Sequence, residues 1–123
     1  MVEVLKMNAS KPEEDRIKIL KARVEGFAGM TEDERRDAMA NLLDALGMLS
    51  EQYRIKIVKT RTDILTQISK DERKKIMNTG RGIFSAWDED RKEMEMRAII
   101  AATEGYPLLK RMMVRKMFKR TLA

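Results

Sequence analysis

Four carboxylates stand close together at Asp88, Glu89, Asp90 and Glu93. Oxygen ligands of this kind suit Mg²⁺ or Ca²⁺, but only where several converge on one point, and no EF-hand loop spacing surrounds these. Acids also gather in the first turn of a helix, where the macrodipole favours them. Helix-start charge is therefore the first reading of the Asp88–Glu93 cluster, with a cation site as the alternative. The sequence contains neither His nor Cys. That excludes imidazole chemistry, thiol nucleophiles, disulfides and Cys/His zinc sites. Ser10, Ser50 and Ser69 stand where a hydroxyl caps a helix, so no nucleophilic constellation forms. "NTGRGIF", which holds Gly80 and Gly82, has no preceding strand and no P-loop lysine. Close approach of another helix is its first reading, a kink the second and a phosphate loop the third. No catalytic residue, cofactor, resident metal or small-molecule substrate is expected.

Cations offer more. Lys and Arg number 26 against 20 Asp and Glu, a net charge of +6. All 20 acids precede Tyr106, and the 18 residues from Tyr106 onward carry six bases. That segment, "YPLLKRMMVRKMFKRTLA", reads as a helix over 107–121. Leu109, Met113, Val114, Met117 and Phe118 share one broad face, with Lys110 intruding. Arg111, Arg115 and Lys119 lie opposite, with Lys116 and Arg120 alongside. Such a helix can close the end of a helical array. It can also fill a partner's groove, lie on anionic lipid or clamp phosphates with salt-dependent affinity. The candidate interaction residues are thus Lys110, Arg111, Met113, Arg115, Lys116, Met117, Phe118, Lys119 and Arg120. Neither a helix-turn-helix signature nor an aromatic stacking platform accompanies them.

The elements that position these residues follow from a repeat. "MTEDERRDAM" at Met30 and "ISKDERKKIM" at Ile68 are nearly the same stretch, 38 residues apart. Half that interval is present too: steps of 19 give Met30, Leu49, Ile68, Trp87 and Tyr106, all large and apolar. The next column reads Thr31, Ser50, Ser69, Asp88 and Pro107, and another reads Phe27, Leu46, Leu65, Phe84, Thr103 and Leu122. A column of Leu20, Met39, Val58, Met77 and Met96 breaks at Arg115. Thr31 with Glu34, Ser69 with Glu72 and Ser10 with Glu13 fit capping boxes, while Ser50 and Asp88 can cap alone. Stops are expected near Gly26–Gly29, Gly47 and Gly105. The spacing predicts helices at about 11–26, 32–47, 51–67, 70–86, 89–104 and 107–121. Turns of about three residues would fold consecutive helices into antiparallel hairpins.

A basic residue recurs at the fourth position of every unit: Arg16, Arg35, Arg54, Arg73, Lys92 and Arg111. The helix dipole disfavours a cation there. Stem packing that leaves the guanidinium wet, with ion pairs to first-turn acids, is the first explanation. An anion-binding row is the second.

Composition agrees with a single all-α domain over 1–123. Apolar residues make up 43% of the chain, aromatics only 5%, and Met occurs 11 times. The start, "MVEVLKMNASKPEED", lacks the apolar core of a secretory signal, and no stretch suits a membrane span, so a cytoplasmic location is expected.

Starts of the form apolar–Ser/Thr–x–Asp/Glu–Glu/Gln–Arg, here "MTEDER", "LSEQYR" and "ISKDER", resemble two known patterns. One is the N-terminal helical domain of the MgtE magnesium-transporter family, a superhelix of short helices. The other is the Spy/CpxP group of helical proteins. The resemblance implies a helical array that serves interactions and transfers no functional residue. A non-catalytic interaction or scaffold module is the expectation, with a protein partner or a second copy bound through Met-rich faces. A nucleic-acid-associated protein using the basic helix is the alternative, and a membrane surface ranks behind both.

Overall fold

The computed structural model describes residues 1–123 and contains seven helices and no strand: α1 Val2–Ala9, α2 Glu13–Ala28, α3 Glu32–Gly47, α4 Glu51–Gln67, α5 Lys70–Phe84, α6 Glu89–Ala102 and α7 Leu108–Leu122. Six were expected. The extra one, α1, is short and has no side-chain N-cap. Tertiary burial of Leu5, Asn8 and Ala9 holds it, which a propensity argument does not see.

Most helix starts obey their caps. Thr31 and Ser69 form complete capping boxes with Glu34 and Glu72. Asp88 accepts a hydrogen bond from the Arg91 N–H. Ser50 stands at the N-cap of α4 without a side-chain bond. Ser10 does not cap α2: its hydroxyl donates to the Met7 carbonyl, and Pro12 holds the N-cap position. The glycine stops work differently from expectation. No residue has a positive φ, so no helix ends in a left-handed glycine. The chain instead tightens into i→i+3 turns, as in Met30 N–H to Phe27 and Leu49 N–H to Leu46. Gly26 and Gly82 face open space. Gly80 is buried beside Met39 and Phe84 at ordinary contact distance, so neither glycine of "NTGRGIF" is forced by a close approach. Gly47 has a closer neighbour: a Cβ there would come within 2.7 Å of the Arg91 side chain, which would have to shift.

The stacking departs from simple hairpins. The most extensive contacts join second neighbours, α4 with α6, α2 with α4 and α3 with α5; the consecutive pair α6 and α7 comes next, and α5 with α7 after it. Helices α4 and α5, or α5 and α6, hardly touch. Two layers result, α2–α4–α6 and α3–α5–α7, with α1 contacting α2, α3 and α4 across them. Within a layer the direction is shared: Arg54 of α4 lies in the field of Arg91 of α6, and Arg61 further along α4 meets Glu95 further along α6. Units 38 residues apart therefore stand side by side. One continuous core receives side chains from all seven helices. The column Phe27, Leu46, Leu65, Phe84, Thr103 and Leu122 is buried throughout.

The recurrent arginine fastens the corners. Arg35 donates from Nε to the Phe27 carbonyl at 2.9 Å and from Nη2 to Met30 at 2.7 Å. Arg54 repeats this with Leu46 and Leu49, and Arg73 with Leu65 and Ile68. In all three the acceptors lie eight and five residues back. The Phe27 and Leu46 carbonyls, at the C-terminal ends of the preceding helices, thereby gain a second donor beside the turn N–H that each already accepts. The cation opposes its own helix dipole and satisfies the negative end of the one before. Arg35 is only 5% exposed, so its guanidinium is not wet. The expected ion pair with a first-turn acid does form for Arg35 with Glu32, at 2.8 Å. Arg16 reaches Lys11 and Thr60, Arg111 reaches Glu104, and Lys92 makes only an ion pair with Glu89.

Candidate functional site

Helix α7 presents its residues differently from the sequence wheel. Val114, Phe118, Thr121 and Leu122 form the buried side. Phe118 is only 2% exposed and belongs to the core, so it leaves the interaction set. Leu109 and Met113, expected beside it, are 76% and 72% exposed. Two turns of α7 carry Leu108, Leu109, Met112 and Met113 outward. The first turn has no core beneath it, so its apolar residues gain no cover.

Arg111 and Arg115 are not on a free face either. Arg115 donates from Nε to Thr103 and from Nη2 to the Ile100 carbonyl, both at 2.9 Å, and pairs with Glu104. It takes the inward column where Met77 and Met96 stood and uses its length to reach the C-terminal end of α6. Arg111 points to the Glu104 carbonyl. Lys110 lies over the Tyr106 ring at 4.4 Å. Lys116, Lys119 and Arg120 remain exposed and make no ion pair.

Two adjoining clefts open beside this helix. The first, about 460 Å³, is bounded by Leu65, Thr66, Lys110 and Val114. The second, about 470 Å³, lies between α5 and α7. Both share Arg73, Met113 and Met117. Six cations line the second: Lys70, Arg73, Lys74 and Arg81 from α5, Lys116 and Arg120 from α7. Met77, Met113 and Met117 supply its apolar surface. No carboxylate lines it. None of the six cations forms an ion pair within the chain. Met113, Lys116, Met117 and Arg120, which form the α7 side, are among the candidate interaction residues read from the sequence. The α5 side is not, because it depends on α5 and α7 standing side by side across 38 residues of sequence.

The buried polar groups lie elsewhere and are enclosed. Glu95, fully buried, sits between Arg61, at 2.6 Å from Oε1, and Arg91, at 3.4 Å from Oε2. Arg61 also lies over Phe118, and Arg91 stacks on Trp87 and donates to the Leu43 carbonyl. The Arg61 Nη1–Glu95 Oε1 contact is an ion pair without hydrogen-bond alignment, which leaves Glu95 Oε1 without a donor; Arg61 Nε and Nη2 also lack acceptors. Burial and the nearby Arg91 charge hold the Arg54 guanidinium below its ordinary pKa. A second network joins Glu13, Lys59, Asp63 and Tyr106, whose hydroxyl donates to Asp63. Burial, then that hydrogen bond, raises the Tyr106 pKa. Desolvation lowers the Lys59 pKa, but Glu13 and Asp63 more than offset it, for a net rise.

Three of the four acids of the 88–93 cluster are individually engaged: Asp88 caps α6, Glu89 pairs with Lys92 and Glu93 with Arg97, while Asp90 makes no ion pair. No group of three or more carboxylates converges into a metal site. No helix is long and apolar enough to cross a membrane. Compared with family models, curated proteins and solved structures, the chain matches none.

Proposed function

We propose that this chain is a non-catalytic helical scaffold of the cytoplasm that holds a protein partner in the groove between α5 and α7. The observation that carries the reading is the groove's composition: six cations without a balancing acid, around a surface of three methionines. Unneutralised charge beside adaptable apolar surface is what a binding face needs and what a closed fold avoids. The non-catalytic part is supported by the state of the polar residues. The one fully buried carboxylate, Glu95, is sealed between guanidinium groups. Ser10, Ser69 and Ser85 hydroxyls bond local backbone groups. The layered array of short helices also suits the resemblance to the MgtE N-terminal helical domain, itself read as an interaction element.

A nucleic-acid reading is favoured by one feature, the unpaired Lys116, Lys119 and Arg120 on α7. The two differ in what touches Met113. A photo-crosslinking amino acid at Met113, in cells, should yield protein adducts, whereas one at exposed Lys18 should not. Adducts to nucleic acid alone, or equal adduct patterns at both positions, would reject the protein-docking reading.

A further inference from the structure

The groove's charge and shape say more than that something docks there. We infer that its occupant is a single acidic amphipathic α-helix of a partner protein, lying along α5 and α7. The inference rests on the docking reading above and names the partner's chemistry.

Periodicity is the first argument. Lys70, Lys74, Met77 and Arg81 recur at intervals of four, three and four along one side of α5. Met113, Lys116, Met117 and Arg120, at intervals of three, one and three, likewise share one side of α7, facing α5. The α5 row spans roughly 16 Å, about three helical turns. A third helix with carboxylates at the same spacing meets cations on both flanks in phase. Charge is the second argument. Five of the six cations have no partner of any kind: only Arg73 is engaged, on the Leu65 and Ile68 carbonyls. Nothing on the chain neutralises the rest, so an anionic ligand is the complement.

The methionines decide which anion. Met77 and Met117 are half-buried between the two helices, and Met113 stands at the edge. A phosphate backbone has no use for an apolar floor, and no aromatic ring lines the groove to stack a base. A flat bilayer does not reach side chains recessed between helices. An apolar stripe flanked by acids uses both features, in the manner of helix-in-groove recognition with a basic rim. Methionine fits such a stripe without demanding one sequence.

The test is fluorescence anisotropy with a labelled Leu/Glu peptide of about five turns in amphipathic order. A scrambled peptide of the same composition, a Leu/Lys peptide, a short DNA duplex and phosphatidylserine vesicles serve as competitors. The amphipathic acidic peptide should bind at least about tenfold more tightly than any of them. The double variant Lys74→Glu/Lys116→Glu should abolish binding. Met113→Asp, at an exposed position, should weaken it at least about tenfold with the circular dichroism spectrum unchanged. Equal binding of the scrambled peptide overturns the inference. So does duplex or vesicle binding indifferent to Met113→Asp, or a dimer in sedimentation that Met113→Asp dissociates. If no peptide binds while protein crosslinks at Met113 persist in cells, the acidic-helix inference fails and the docking reading stands.

Discussion

Shortening Arg35 and shortening Arg111 are the same substitution with different consequences. Arg35 contacts the carbonyls of Phe27, Ala28 and Met30 and the Glu32 carboxylate from an almost dry site. Lysine has neither the fork nor the donors to serve them together. Arg35→Lys should cost about 2–4 kcal/mol, read from the urea midpoint. Arg111, with a single bond at 3.5 Å, should change by about 0.5 kcal/mol or less. The recurrence of these residues was visible as a column, and the conflict with the helix dipole was visible too. Its resolution was hidden, because the acceptors belong to the previous helix. Tyr106 gives a pH signature. Its folded pKa is raised, so its contribution is complete below the unfolded value and is lost as pH rises through the folded value. Stability should therefore fall at alkaline pH above about 10, the ordinary tyrosine value. Tyr106→Phe should lose that slope in denaturant titrations at successive pH values.

Helix boundaries were the most legible feature, since Thr31, Ser50, Ser69 and Asp88 all take the N-cap positions their types announce. Local chemistry sets these starts, so local sequence reveals them. The short α1 escaped because its helix depends on distant surfaces. Its amides should exchange with solvent sooner than those of α4 in hydrogen-exchange mass spectrometry. Leu5→Ala should nevertheless cost about 2–5 kcal/mol, since Leu5 is buried in the shared core. The α5–α7 groove was half-legible for a related reason. Lys70, Lys74, Met77 and Arg81 are far from α7 in sequence, and only the side-by-side placement of α5 and α7 brings them to one groove.

The Arg61–Glu95–Arg91 cluster binds the molecule across its layers. It joins α4 to α6, touches α7 through Phe118 and reaches α3 through Leu43. Glu95→Ala leaves two guanidinium groups facing each other in the interior and should cost about 3–5 kcal/mol. Amide protection should drop together in α3, α4, α6 and α7, which hydrogen exchange can resolve. An Arg61→Met/Glu95→Met double variant should recover part of the loss, because one of the two guanidinium groups goes with the carboxylate while Arg91 keeps only the Leu43 carbonyl and the Trp87 ring. No reading along the chain could pair these residues while consecutive helices were taken as hairpins. The alternation of layers has a final consequence for how such a gene can grow. Duplicating two adjacent modules leaves every later helix on its own side. Duplicating one moves every later helix to the opposite layer, where it meets a different set of neighbours.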